Sequence, residues 1–330
     1  MGKIKKIFGF LLGLLILLGM FYYIGIEKII SIILRLDVKY IIAAIFLQIL
    51  VLVILSYRWI YLFRGLGYSP KFVNVFLTVL FGQFINNLTP SMRGGGEVFR
   101  AYYLSKLEDI PKGIAYSTVF VERFLDTAIF LIASFLVIIY FLLNGFKYLK
   151  FLMYSWIFIL VLSLTILYIL LNRNLLLKIS LTIYNFACKY TTLVYDEERI
   201  KKIVDDFYNG INFLKKNKHK LELYISLFLS VLWYVVDIFK MYLYFLAIPY
   251  YVKFVVVATV YLLVLLTGVI SVTPAGLGSA DAVMIAGFSA FNIPTDVAAV
   301  INILDRFISY IIPTLLGYIS YIIIKQKLSK

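Results

Sequence analysis

The stretch Asn86–Arg100, Asn-Asn-Leu-Thr-Pro-Ser-Met-Arg-Gly-Gly-Gly-Glu-Val-Phe-Arg, constrains the fold more than any other part of the chain. It lies between apolar runs of membrane-spanning character, yet it carries Arg93, Glu97, Arg100, Pro90 and three consecutive glycines, Gly94, Gly95 and Gly96. Hydrocarbon offers a broken backbone no hydrogen-bond partner. Such a segment at membrane depth must be enclosed by protein or line a wet cavity. The chain then repeats the pattern. Thr89–Glu97 aligns without a gap on Thr273–Asp281, matching threonine, proline (Pro90 and Pro274), one glycine and the terminal carboxylate. Ile110-Pro111 is echoed by Ile293-Pro294, and Glu122-Arg123-Phe124 by Asp305-Arg306-Phe307. Matched clusters at nearly one offset read as an internal repeat, the pattern of many transporters.

The flanking runs are apolar enough to place the whole chain in a membrane. Its 330 residues are 63% hydrophobic with a mean hydropathy of +0.97, against an apolar share of about half in soluble domains. The net charge of +15 gathers at the termini and in one central loop. That distribution reads as cytoplasmic positive charge facing anionic lipid. It is not a nucleic-acid footprint, since no soluble basic domain exists to hold one. Cys188 is the single cysteine, so no intrachain disulfide is expected. His219, the single histidine, stands in a lysine-rich loop without a second ligand at metal-binding spacing. No metal or cofactor is expected.

A helix needs about twenty apolar residues to cross the bilayer core. Spans are expected over residues 7–26, 38–57, 114–144, 149–171, 221–248 and 298–324. The run at 7–26 has no small-residue cleavage site after it and reads as an uncleaved first span. Residues 58–71 read as a basic cytoplasmic loop. Residues 172–220 form the largest polar stretch, in which Ile200, Ile203, Val204, Phe207, Ile211 and Leu214 recur at helical spacing, as in a helix resting on the membrane surface. Asp205-Asp206 within it reads as a solvated helix face. The segments 72–104 and 254–291 each enter, break at the glycines and return.

Sidedness favours a hairpin over a single crossing at each glycine segment, and two close full crossings would give the same sidedness. If 72–88 crossed alone, the basic stretch 172–220 would fall outside, against the charge rule. With two re-entrant hairpins, the N-terminus, 58–71, 172–220 and the C-terminus all fall inside. The expected fold is therefore an all-α polytopic membrane protein of the cell membrane, with six spans plus two re-entrant helical hairpins and both termini cytoplasmic. Residues 1–148 form a first repeat and 149–330 a second. An odd number of spans separates the matched segments, so the repeats are inverted.

Charges inside membrane segments are costly and face a cavity or a partner. Arg123 and Arg306 lie near the glycine-rich turns, each after a carboxylate, Glu122 or Asp305, and Glu97, Asp281, Glu122 and Asp305 are expected to hold the arginines between binding events. A guanidinium beside free N–H groups at a helix N-terminus makes an anion site suited to phosphate. Candidate substrate-binding residues are Asn86, Asn87, Arg93, Glu97, Arg100, Glu122, Arg123, Asp126, Asp281, Asp305 and Arg306. Candidate hinges are Pro90, Gly94, Gly95, Gly96, Pro274, Gly276 and Gly278. The alternative is structural ion pairing, Arg123 with Glu97 and Arg306 with Asp281, locking hairpins to spans. Asp237 and Lys240, at i and i+3, are expected to pair with each other. No catalytic signature is present: no His-Glu-x-x-His, Cys-x-x-Cys, Walker loop or Gly-x-Ser-x-Gly.

Asn86–Pro90 through Glu97 and Arg100, then Glu122-Arg123 with Asp126, then Pro274-Ala275-Gly276-Leu277-Gly278 with Asp281, and Arg306, resemble the lysylphosphatidylglycerol synthase transmembrane-region family over nearly the whole chain. That family includes the flippase-like domain of the multiple peptide resistance factor. Two departures are the run Gly94–Gly96 where a single glycine is usual and Asp281 where glutamate is expected. No segment resembles the soluble aminoacyl-transfer domain, so lysyl-lipid synthesis is not expected. The resemblance implies movement of a polar-headed lipid between leaflets.

The reading is a translocase, without ATP hydrolysis, for an anionic phospholipid or a polyprenyl-phosphate-linked lipid. The alternative is a membrane-embedded glycosyltransferase or accessory subunit of lipid-linked glycan assembly, in which Glu97, Glu122 and Asp126 would hold a metal or act as base. A scaffold for envelope enzymes is a third reading. The expected partners are a membrane lipid and, through the basic loops, an anionic lipid surface; an oligomer is compatible with the sequence.

Overall fold

The computed structural model describes residues 19, 22, 24–89, 95–144, 149–190, 197–215, 220–271 and 273–329. These form helices joined by short turns: α1 Ile26–Ile33, α2 Val38–Gly65, α3 Phe72–Leu88, α4 Gly95–Leu107, α5 Lys112–Asn144, α6 Leu149–Leu171, α7 Arg173–Tyr190 and α8 Glu197–Lys215, then α9 Lys220–Ala247, α10 Phe254–Ile270, α11 Ser279–Ala290 and α12 Thr295–Asp305. A π-helical turn, Arg306–Ile311, leads into α13, Ile312–Leu328. Pro313 follows that turn and has no N–H to continue an α-helical ladder.

Four helices among the described residues are long and apolar enough to cross a membrane: Val38–Gly65, Lys112–Leu143, Lys220–Ala247 and Thr295–Leu328. A fifth span arises if Trp156–Leu171 and Arg173–Phe186, bent by 91°, count as one. The chain is thus an all-helical, multi-pass membrane protein. The span expected at 7–26 lies almost wholly outside the described residues.

Four consecutive helices in each half of the chain run in the same order with similar lengths. Helices of 28, 17, 13 and 33 residues (α2 to α5) correspond to helices of 28, 17, 12 and 34 residues (α9, α10, α11 and Thr295–Leu328). Their turns match as well. Tyr68 N–H closes α2 on Phe63 O at 3.0 Å, and Tyr250 N–H closes α9 on Phe245 O at 3.1 Å. Lys71 and Lys253, both extended, precede α3 and α10. Asp109 and Asn292 end α4 and α11 in the left-handed region, with φ of 49° and 61°, a conformation these two residue types tolerate best after glycine. Ile110 N–H then returns to Ser105 O and Ile293 N–H to Phe288 O, at 3.1 and 3.2 Å, and a proline follows each.

By packing, the described residues fall into two compact units. One draws on Met1–Arg58, Lys71–Tyr103 and Phe228–Lys330; the other on Trp59–Pro70 and Leu104–Leu227. In the first unit α3 packs along α13. Gly317 permits this, since a Cβ there would stand 2.3 Å from Leu80 O. The same unit contains two reciprocal bonds between α2 and α9. Arg58 Nη1 donates to Ser230 Oγ at 3.3 Å, and Lys240 Nζ donates to Gln48 Oε1 at 2.6 Å. Arg58 and Lys240 occupy the same position in their 28-residue helices, and so do Gln48 and Ser230. The contacts run in opposite order along the two helices, so α2 and α9 lie antiparallel, and a two-fold rotation exchanges the bonds.

Arg58 is a correction to the sequence reading, which placed it in a basic loop. It is fully buried inside α2, with its guanidinium 5.7 Å from the Trp233 ring centroid. Those partners let the helix run on to Gly65. Asp237 and Lys240 pair as expected, and Tyr261 OH also donates to Asp237.

In the second unit α5 packs on α6 and α8, and α7 on α6 and α8. The apolar face of α8 is buried there through Val204 and Phe207, with the Phe207 ring 5.5 Å from that of Phe120. The expected face for a membrane surface is therefore spent on protein. Gly113 is the physical reason, because a Cβ on it would stand 2.3 Å from Asp206 Cβ and 2.6 Å from Ile203 O. Asp205 pairs with exposed Arg173 at 2.6 Å, in keeping with a solvated face. Tyr208 OH donates to Leu170 O at 2.6 Å, and burial raises its pKa above the usual phenol value.

Candidate functional site

The second glycine turn is built around Asp281, whose side chain is fully buried. Ala275, Gly276 and Gly278 are all left-handed, with φ of 52°, 64° and 82°. The chain can therefore reverse within Thr273–Gly278, where Gly276 N–H returns to Thr273 O and Leu277 N–H to Pro274 O. This reversal aims the N-terminus of α11 at its own third residue. Asp281 Oδ2 accepts from Gly278 N–H at 2.7 Å, while Oδ1 accepts from Arg306 Nε at 2.6 Å and Asn302 Nδ2 at 2.8 Å. The rest of the Arg306 fork donates to the turn carbonyls of Ala275 and Gly276, at 2.9 and 3.4 Å. Its flat face lies 4.3 Å from the Tyr310 ring centroid. Each guanidinium nitrogen makes one hydrogen bond, and the Asp281 carboxylate stands where an anion would sit, between an arginine and a helix N-terminus.

Asp305 does not hold Arg306, as the sequence reading had it. Consecutive helix residues point roughly 100° apart. Asp305 Oδ1 instead accepts from Ser309 Oγ at 2.7 Å and Tyr244 OH at 3.5 Å.

The first glycine turn uses different contacts. Pro90, Arg93 and Gly94 lie outside the described residues. Buried Asn86 accepts the Gly96 N–H on Oδ1 at 2.8 Å, and Asn87 Nδ2 donates to Thr314 Oγ1 at 2.7 Å. Gly96 packs directly on α3: a Cβ there would stand 2.0 Å from Gly82 O. A Cβ on Gly95 would stand 2.7 Å from Thr89 Oγ1. Glu97 accepts from Arg100 Nε at 2.7 Å, and Arg100 is buried against Gly82.

Arg123, Glu122 and Asp126 lie on α5, in the second compact unit. Glu122 is fully buried. Arg123 Nη2 meets Asp126 Oδ2 at 2.9 Å, with the side chain of Arg123 31% exposed and that of Asp126 7%. The acid therefore grips the arginine from the protein side. Toward the outside, Arg123 lines a cleft of about 190 Å³ between α5 and α6. Arg123 and Arg306 sit equally far into their helices, roughly 16 Å at 1.5 Å per residue.

Asn302 was missed by the sequence reading. Its signal was a polar residue one helical turn before Arg306 in an otherwise apolar run. The reciprocal cations were missed because Gln48 and Ser230 carry no charge to mark them. Among the described residues, no three His, Cys, Asp or Glu side chains converge so as to hold a metal ion.

Long apolar helices, two glycine-broken turns and buried arginine–carboxylate pairs define a polytopic membrane protein with intramembrane charge sites. The family model for the lysylphosphatidylglycerol synthase TM region matches residues 7–317, and the chain belongs to that family. It is 53% identical over 320 residues to a UPF0104 membrane protein of Methanocaldococcus jannaschii, covering 97% of this chain and 95% of that one. A UPF0104 membrane protein of Methanothermobacter thermautotrophicus is 30% identical over 305 residues, covering 91% and 89%. One of Pyrococcus horikoshii is 28% identical over 322 residues, covering 95% of each.

Proposed function

We propose that the chain moves an anionic or phosphate-headed membrane lipid between leaflets, without hydrolysing ATP, through two related half-sites in an inverted repeat. The observation that carries this reading is the reciprocal pairing of Arg58 with Ser230 and Lys240 with Gln48. Equivalent positions exchanged across antiparallel helices are what an inverted repeat with its axis in the membrane plane requires. Six spans, two re-entrant hairpins and cytoplasmic termini complete the proposed topology. Basic residues of 172–220 then face anionic lipid at the cytoplasmic surface.

The half-sites differ in state, which supports alternation. Arg306 is latched: Asp281 and the turn carbonyls take its donors. Arg123 is held on one edge by Asp126 and lines an apolar cleft. A lipid phosphate reaching Arg306 would displace Asp281, and the left-handed turn around Gly276 and Gly278 would open as it did so.

The test is lipid movement in proteoliposomes, using headgroup-labelled anionic, zwitterionic and polyprenyl-phosphate lipids. Wild type is expected to move one phosphate-headed class, and Arg123→Ala and Arg306→Ala each to lose most of that movement while remaining folded. Loss in only one variant would remove the two-site reading and favour a one-sided activity. No movement of any class would overturn it.

A further inference from the structure

The cleft between α5 and α6 is a built feature of one compact unit. One wall is a stripe of α5 side chains at helical spacing, among them Arg123, Thr127, Ala128 and Leu131; Leu160 and Leu167 stand on the facing wall of α6. The stripe from Phe120 to Leu131 is roughly 16 Å long. Both ends are closed by hydrogen bonds from aromatic side chains to backbone carbonyls. Trp156 Nε1 donates to Leu131 O at 3.0 Å, and Tyr208 OH donates to Leu170 O at 2.6 Å. The walls are apolar except for Thr127, Ser163 and, toward the Tyr208 end, Arg123. Thr127 Oγ1 is spent on Arg123 O at 2.8 Å, which leaves the guanidinium as the dominant polar group. A volume of about 190 Å³ is small against the roughly 300–1,000 Å³ of a general ligand pocket, and suits one narrow chain.

We propose that this cleft holds a single hydrocarbon chain of an anionic membrane lipid, with the lipid's phosphate on Arg123. An apolar trough ending in one cation matches an amphiphile with one anionic head. The cation is fixed for the purpose, because Asp126 holds its buried edge at 2.9 Å. A zwitterionic headgroup carries the same phosphate but brings a second cation beside Arg123, which opposes its binding. The proposal rests on the lipid-translocation reading for its purpose and on the cleft alone for its binding.

Native mass spectrometry of the full chain tests binding separately from movement. The protein is stripped with detergent and returned to vesicles of zwitterionic phospholipid containing a tenth of anionic phospholipid. Wild type is expected to retain one anionic lipid. Ala128→Trp, which fills the trough, and Arg123→Gln are each expected to lower that retention about tenfold, and Lys39→Gln, which removes an exposed cation of α2, to leave it unchanged. A photoreactive benzophenone side chain at Leu167 is expected to cross-link to the lipid's hydrocarbon chain, and it keeps the test alive if Ala128→Trp fails to fold. Equal retention in wild type and Arg123→Gln, or cross-linking to zwitterionic lipid alone, overturns the proposal. Retention without movement in the vesicle assay would leave this site standing and remove the translocation reading. Movement without selective retention would do the reverse.

Discussion

The described flanks of the two glycine segments differ in what holds them. In the second, the side chains of Arg306 and Asn302 converge on the Asp281 carboxylate, and the turn is closed by charge. In the first, Gly96 lies against Gly82 O, Asn86 takes its N–H, and the turn is closed by contact between backbones. Two substitutions between the repeats account for the change. Arg100, which bonds Glu97, aligns with apolar Met284, so Asp281 has no arginine on its own helix. Asp126, which holds Arg123, aligns with Ser309, so Arg306 turns to Asp281 instead. A conserved scaffold of helix lengths and turns thus carries two different electrostatic states, and charge placement within one turn of helix decides which.

That comparison breaks most sharply at Asp281. Asp281→Asn leaves Arg306 buried without its counter-charge. It is expected to cost about 3–5 kcal/mol, read as a large drop in the thermal unfolding midpoint in lipid nanodiscs. The double variant with Arg306→Met is expected to recover much of that loss, and no recovery would mean the pair is not the lock. Next comes Gly96→Ala, whose methyl would meet Gly82 O; a loss of about 1–3 kcal/mol is expected. Gly287→Ala in the second hairpin, with its nearest contact at 3.3 Å to a Val260 methyl, is expected to change little. Equal losses would mean the hairpins are closed alike.

Smaller effects refine the picture. Asn302→Ala removes a hydrogen bond to a charged group and is expected to cost about 1.5–3 kcal/mol. Asn86→Ala removes a bond between neutral groups and is expected to cost about 0.5–1.5 kcal/mol; a reversed order would put the charge-closed turn in the wrong hairpin. Arg173→Ala breaks a half-exposed pair with Asp205 and is expected to cost under about 1 kcal/mol. Chemical denaturation resolves these three against wild type.

Much of this was legible in the sequence. The all-helical class and four of the spans followed from apolar run length, since bilayer thickness and backbone hydrogen bonding leave few alternatives. Asp281 with Arg306 was also anticipated as a pair. Asp305 was misread because adjacency in sequence places two helix side chains on different faces. The apolar stripe on α8 was read as lipid-facing, since periodicity reports that a face is buried and not what buries it. Glycine at position 113 decided the occupant.

By itself, then, the sequence determined that this chain is helical and membrane-embedded, because hydrophobicity and chain-breaking residues act locally and leave their mark at each position. Tertiary structure alone decided which remote polar groups the buried cations reach. Arg58 reaches Ser230, and Lys240 reaches Gln48, across distances in sequence that no spacing rule spans. Such contacts are fixed by the packing of helices remote in the chain. Which arginine is latched and which lines a cleft is therefore a property of the fold.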